Sequence, residues 1–270
     1  MRLLLVFLAC FSASVFSQQK EGVEVQRSRL LLLPASTVER SAGQQYSQLM
    51  RAAAQRGLLN RDMEQVERLR RIARELIPHA ARFNKDAQKW QWEVNLISSK
   101  SVNAFCMPGG KIAFFSGILD ALQLTDDEVA AVLGHETAHA LLEHGRARMT
   151  TEYAKIAGVT VAAIVLNLGN VSTEVLARAA NLAVSLPYAR SQETDADLVG
   201  LELAARAGHD PRAALAVWEK MQKYAQTAAR GQPPQFLSTH PSHGTRIKQI
   251  EANLPKVLPL YRKAKERQPK

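Results

Sequence analysis

The stretch that decides the reading is Gly134-His135-Glu136-Thr137-Ala138-His139, behind Thr125-Asp126-Asp127-Glu128 and the apolar run Val129–Leu133. Thr125 is a fitting N-cap, and three acids in the first turn suit the positive end of a helix dipole. One helix is therefore predicted from Thr125 through about His144. At about 100° per residue, His139 lies about 40° round from His135 and one turn along, so both imidazoles reach one metal ion from the same side. Glu136 sits about 100° from His135, where its carboxylate flanks that ion without binding it. That placement suits a general base acting on a water the metal activates. Three fixed letters in five also arise by chance, in a helix that merely carries two satisfied histidines.

Two histidines make an incomplete zinc site, because catalytic zinc takes three protein ligands and keeps one position for water. His144 follows His139 by five residues, and its phase is about 180° from His135, so on a continuous helix it points away and reads as a structural or surface histidine. Glu193 is the other candidate, within Arg190-Ser191-Gln192-Glu193-Thr194-Asp195-Ala196-Asp197. Glu193 and Asp197 are four apart and share a helix face. A helix bringing Glu193 to the metal brings Asp197 near a ligating imidazole, whose N–H it can hold. Taken alone, the same residues read as a surface ion-pair ladder; beside the H-E-x-x-H helix, the metal reading is preferred.

Working outward, residues 36–81 read as helical, with Leu59, Met63, Val66, Leu69, Ile72 and Leu76 recurring every three or four positions. Arg68, Arg70, Arg71 and Arg74 fill the polar side, as a solvated face or a contact for an anionic partner. Trp92, Val94 and Leu96 then alternate with polar residues, as in a half-buried strand. Asn103–Met107 is a second strand, Pro108-Gly109-Gly110 a turn, and Lys111–Ser116 a third strand. Further helices fit Ile156–Leu168, Thr173–Ser185, Ala189–Ala207, Pro211–Ala229 and Gly244–Leu254, with a loop at Gly231–Pro234. The fold class is α+β: mainly helical, with a small three-stranded sheet beside the H-E-x-x-H helix. The apolar run at 156–168 is shorter than the roughly 20 residues of a membrane span and reads as a core helix.

Composition bounds the rest. The 270 residues carry a formal charge of +10, with 46% hydrophobic and 22% charged residues, an ordinary globular balance. Two cysteines exclude a disulfide scaffold. With 6% aromatics and no basic–aromatic interleaving, the chain has no nucleic-acid signature. Arg2, the apolar run Leu3–Phe11 and the small residues after it have the layout of an export signal, placed at residues 1–17 with cleavage after Ser17. A second reading makes Cys10 a lipid-attachment cysteine. The mature chain divides into an arm and helix at 18–58, a domain around the H-E-x-x-H helix at 59–255 and a basic tail at 256–270. From Arg246 to Lys270 there are eight Lys/Arg against two Glu, which suits either a solvated end or contact with an anionic membrane surface. Cys106 reads as a small buried residue, with thiol ligation of the metal the lesser alternative.

Four segments together resemble the zinc metallopeptidases of the HtpX-like, CAAX-prenyl-endopeptidase type, the gluzincins of peptidase family M48, and their soluble periplasmic bacterial members in particular. They are Asn103-Ala104-Phe105 with Pro108-Gly109-Gly110; Gly134–His139; Arg190–Asp197; and Ser238-Thr239-His240-Pro241 with Arg246-Ile247. The resemblance implies a zincin-like domain with one zinc ion held by His135, His139 and Glu193. It implies Glu136 as catalytic base, Asp197 as support, and His240 as a regulatory ligand or a polariser of the developing oxyanion. It implies that an extended substrate adds a strand beside Lys111–Phe115, and that the substrates are unfolded, misassembled or membrane-associated envelope polypeptides. The chain departs from the wider family in having no long membrane-spanning runs, and its end near Lys270 leaves no room for an appended helical-repeat domain. A zinc-bearing periplasmic chaperone and a non-enzymatic envelope adaptor remain the competing classes.

Overall fold

The computed structural model describes residues 21–25, 31–151, 189–227, 235–241 and 244–267. The export signal, the helices expected at 156–168 and 173–185 and the loop at 231–234 lie outside these residues. Among them, no helix is long and apolar enough to cross a membrane.

Helix α1 (Ala35–Gln55) and α2 (Met63–Leu76) are separate, where the sequence periodicity suggested one helical run. Gly57 and Asn60 adopt positive φ (65° and 52°), which reverses the chain, and Asp62 caps α2 by accepting from the Gln65 N–H. Leu59, expected on the helical stripe, instead bridges to Ile97. The reversal lets α1 lie over one face of the sheet.

That sheet comprises β1 (Glu93–Ile97), β2 (Ala104–Met107) and β3 (Lys111–Phe115) in the order β1-β3-β2, with β1 parallel and β2 antiparallel to β3. Tyr46, Met50 and Ala53 of α1 pack on one face against Ile97 and Ala113, while Val94, Leu96, Ile112 and Phe114 join the main core on the other. So β1 is not half-buried. Asn95, expected on a wet face, is buried and is held by the Tyr46 hydroxyl and Asn60.

After α3 (Ser116–Leu122) comes α4 (Asp126–Leu141), opened by the expected cap: Thr125 accepts from the Glu128 N–H, and Glu128 accepts from the Thr125 N–H. Nearly every residue of α4 is buried, so it runs through the centre of the domain rather than along its surface. It ends at Leu141, short of His144, because Glu143 turns to φ 57°; residues 144–151 are again helical. Helix α5 (Arg190–Arg206) crosses α4 at a backbone-to-backbone contact. A Cβ on Gly134 would stand 2.9 Å from the Gly200 carbonyl oxygen, and one on Gly200 would stand 2.8 Å from the His135 nitrogen. Only two glycines allow this approach. Helices α6 (Ala213–Thr227), α7 (Gln235–Thr239) and α8 (Gly244–Arg267) complete the described fold. α8 runs well past Leu254. Its prolines, Pro255 and Pro259, lie on the exposed side, while Ile250, Asn253, Val257 and Leu260 are buried.

Candidate metal centre

The α4–α5 crossing decides what meets His135 and His139. Successive turns of α4 aim both imidazoles inward, with their Nε2 atoms 3.1 Å apart. Glu193, in the first turn of α5, reaches the same point: its Oε1 is 3.4 Å from His139 Nε2 and its Oε2 is 3.5 Å from His135 Nε2. His240, just after α7, adds Nδ1, 3.3 Å from His135 Nε2 and 3.0 Å from Glu193 Oε1. The Phe236 ring stacks on this imidazole. One donor atom from each of the four residues lies within 4.8 Å of the others, and all four residues are buried. Glu136 stands beside the cluster, with Oε1 3.5 Å from His240 Nε2.

The far side of each α4 imidazole has a partner. His135 Nδ1 faces Asp197 Oδ1 at 3.0 Å, as the spacing of Glu193 and Asp197 anticipates. His139 Nδ1 faces His144 Nδ1 at 3.0 Å. His144 is therefore the structural histidine that was one of its two expected readings, and it is not among the clustered donors. It does not point away, because α4 stops at Leu141 and the turn at Glu143 folds His144 back under His139. A proton on each rear nitrogen leaves both Nε2 lone pairs pointing into the cluster.

Electrostatics set aside a place for positive charge there. Burial works against charge on His135, yet Asp197 and Glu193 outweigh it and push its pKa up to about 9. Burial and the His135 charge drive His139 well below the ordinary imidazole value. Burial disfavours the Glu193 carboxylate, but His135 and His240 hold it well below the usual range. Burial also raises Glu136, against the pull of His240 and His135. Cys106 is buried, which pushes its thiol far up, and its sulfur faces the Met107 carbonyl at 3.7 Å. It is not among the four clustered donors, so thiol ligation finds no support.

The sequence profile of peptidase family M48 matches residues 64–254. The chain belongs to this family. It is 39% identical over 167 residues to mitochondrial metalloendopeptidase OMA1 of Schizosaccharomyces pombe, covering 62% of this chain and 48% of the relative. Human metalloendopeptidase OMA1 is 29% identical over 245 residues, 87% of this chain and 45% of the relative. Metalloprotease LoiP of Escherichia coli is 29% identical over 178 residues, 64% of this chain and 66% of the relative. The chain thus spans about half the length of these two OMA1 relatives.

Zinc is the cofactor of M48 peptidases, and the residues fit it. Three imidazole nitrogens and a carboxylate oxygen are ordinary zinc donors. Ligand atoms of a tetrahedral site with bonds of about 2.0–2.1 Å stand about 3.3 Å apart. Four of the six separations among His135 Nε2, His139 Nε2, His240 Nδ1 and Glu193 Oε1 are 3.0–3.4 Å, close to that figure, and all six are within 4.8 Å.

Arg246, named in the fourth family segment and counted with the basic C-terminal stretch, has a part in this site that sequence reading missed. Arg246 is fully buried. Its Nη1 lies 2.6 Å from Glu193 Oε2, while Nε and Nη2 each donate to Asp197 at 2.7 Å. Nη1 also donates to the Pro241 carbonyl at 3.2 Å, and the guanidinium lies over the Trp218 ring at 4.0 Å. A signal was present: Arg246 is in phase with Ile250, Asn253 and Val257 on the buried stripe of α8, where a long charged residue needs a charged partner. The sheet corrects a second expectation. β3 is the central strand with both edges paired, so Lys111–Phe115 cannot accept a further strand. The edge strand beside α4 is β2. Because the Phe115 N–H donates to the Asn103 carbonyl, antiparallel alternation turns the N–H and C=O of Ala104 and Cys106 outward.

Proposed function

We propose that the chain is a zinc-dependent endopeptidase acting on misfolded or membrane-associated polypeptides of the bacterial envelope. The observation that carries the reading is the convergence of His135, His139 and Glu193 on one point with the Glu136 carboxylate beside it. Bound zinc supplies Lewis acidity and activates water for attack on a carbonyl. His135, His139 and Glu193 hold the ion, while Asp197 and His144 fix the tautomers of the two α4 imidazoles. Glu136 takes the proton of the attacking water and passes it to the leaving amine. The outward backbone groups of Ala104 and Cys106 suit an extended polypeptide laid along β2, which requires an unfolded substrate segment.

His240 has two uses in this scheme. With Nδ1 in the cluster, His240 would be a fourth protein donor to a bound ion, in the place an attacking water needs. Turned out of the cluster, the same imidazole would be a donor for the oxyanion. The four-donor arrangement also favours the second reading, a zinc-bearing envelope chaperone that cuts rarely. Cleavage of an unfolded, fluorophore-labelled polypeptide separates the two. Zinc-loaded wild type cleaves it, chelation stops the reaction and zinc restores it, while Glu136→Gln keeps its zinc and does not cleave. Zinc-loaded wild type that binds the polypeptide without cutting it points to the chaperone. Cleavage by Glu136→Gln at the wild-type rate removes the proposed base.

A further inference from the structure

We propose that the face formed by the C-terminal half of α8 with the adjoining ends of α2 and α5 docks on anionic phospholipid. It is about as far along α8 from the metal cluster as that helix allows, and its residues take no part in the chemistry above. Such docking rests on the envelope reading but not on peptide hydrolysis.

Burial of Ile250, Asn253, Val257 and Leu260 fixes which side of α8 faces outward. Lys248, Lys256, Arg262, Lys263, Lys265 and Arg267 are exposed there, against two exposed acids, Glu251 and Glu266. From Lys248 to Arg267 this charge is spread over about 29 Å of helix, the dimension of a surface rather than of a small ligand. Near its end the face sinks into a groove of about 400 Å³, where Lys263 and Arg267 meet Arg74 of α2 and Arg206 of α5. Leu260 and Ala264 supply an apolar floor, so the groove suits a charged headgroup with hydrocarbon next to it.

Nearby acids cancel this charge only in part: Glu202 pairs with Arg206 and Glu21 approaches Lys263, while Arg74 and Arg267 form no ion pair among the described residues. Glu75 is engaged with His209 at 2.8 Å and Arg71 at 3.5 Å. Glu202 is fully buried, accepting from Arg206, from the Val23 N–H and from Arg82. Glu21 lies on the rim, 4.0 Å from Lys263, and its carbonyl accepts from Arg82 at 2.8 Å. Basic side chains beside an anionic bilayer each add about a factor of five in affinity.

The test is co-sedimentation of the full chain, as zinc-loaded Glu136→Gln to exclude proteolysis, with phosphatidylcholine vesicles containing or lacking phosphatidylglycerol. Binding is expected to the phosphatidylglycerol vesicles, weakening with salt and falling about fivefold for each of Arg74→Gln, Lys263→Gln and Arg267→Gln. All three sites are on the surface, and unchanged zinc content and circular dichroism establish that the variants are folded. Equal binding to pure phosphatidylcholine overturns the proposal, as does wild-type binding by the triple variant. Displacement by inorganic phosphate where chloride of equal ionic strength has no effect also overturns it, since the groove would then hold a discrete anion rather than a bilayer. Zinc-loaded wild type that binds these vesicles but leaves an unfolded, fluorophore-labelled polypeptide uncut would count against the peptidase reading alone.

Discussion

Replacing Gly200 by Ala tests whether the α4–α5 contact builds the metal centre. The added Cβ would lie 2.8 Å from the His135 nitrogen and 3.1 Å from both Gly134 C and His135 Cα. Ordinary contact begins near 3.4 Å, so the helices must part by about 0.6 Å. All three atoms belong to backbone, and no flexible side-chain end can give way instead. Overpacking of this kind costs about 1–3 kcal/mol, several degrees in melting temperature for a domain of this size. The same displacement carries Glu193 away from the α4 imidazoles, beyond the roughly 0.2 Å that a zinc ligand tolerates. Zinc affinity, read by chelator competition, should fall at least tenfold, while the metal-free melt falls by only a few degrees. Gly43→Ala is the control. Gly43 lies inside α1, and a methyl group added there meets nothing within 4 Å, so that change should stabilise by about 0.5–1 kcal/mol and leave zinc affinity alone. Gly200→Ala protein that melts and holds zinc as wild type does would refute the reasoning.

Glu193→Ala should abolish stoichiometric zinc by elemental analysis with the fold intact by circular dichroism; equal zinc in variant and wild type removes Glu193 from the ligand set. Arg246→Met leaves Glu193 and Asp197 buried without their counter-ion, at about 3–5 kcal/mol in the metal-free protein. Zinc replaces part of the lost positive charge, so this deficit should narrow in thermal melts with the ion present; a deficit that stays constant or grows contradicts the charge argument. Burial opposes ionisation of Asp126, but Arg68 and Arg71 hold its pKa below the ordinary 3.8. Its contribution is therefore present above about pH 4 and lost as the pH falls through the lowered value. The stability gap between wild type and Asp126→Asn in urea titrations should accordingly be visible at neutral pH and close in acid, and a gap independent of pH would contradict the pairing.

Local rules exposed much of this centre in the sequence. The Thr125 cap fixed the start of α4, helix phase paired His135 with His139, and the four-residue spacing put Asp197 behind Glu193. What escaped depended on where local patterns stop or on what lies across the fold. His144 is structural, as one of its two readings had it, but its place behind His139 escaped because the break at Glu143 has no strong sequence mark. Asn95 looked wet because strand alternation cannot report that α1 covers the second face. The edge role of β2 follows from the β1–β3 pairing, a non-local contact that periodicity does not encode. Arg246, though named in a family segment, showed no link to the centre because its partners Glu193 and Asp197 lie across the fold. The last helix, expected to end at Leu254, continues because Pro255 and Pro259 lie on the outward side of a helix anchored by Val257 and Leu260.

The glycine crossing also gives α5 a mechanical character. Glu193 lies seven residues from Gly200 on one side and Arg206 six on the other, lever arms of about 10 Å and 9 Å. A rod hinged at that fulcrum moves its two ends in opposite senses by nearly equal amounts. A tilt of about 3° shifts each by about 0.5 Å, a displacement that a metal ligand registers and a surface guanidinium absorbs.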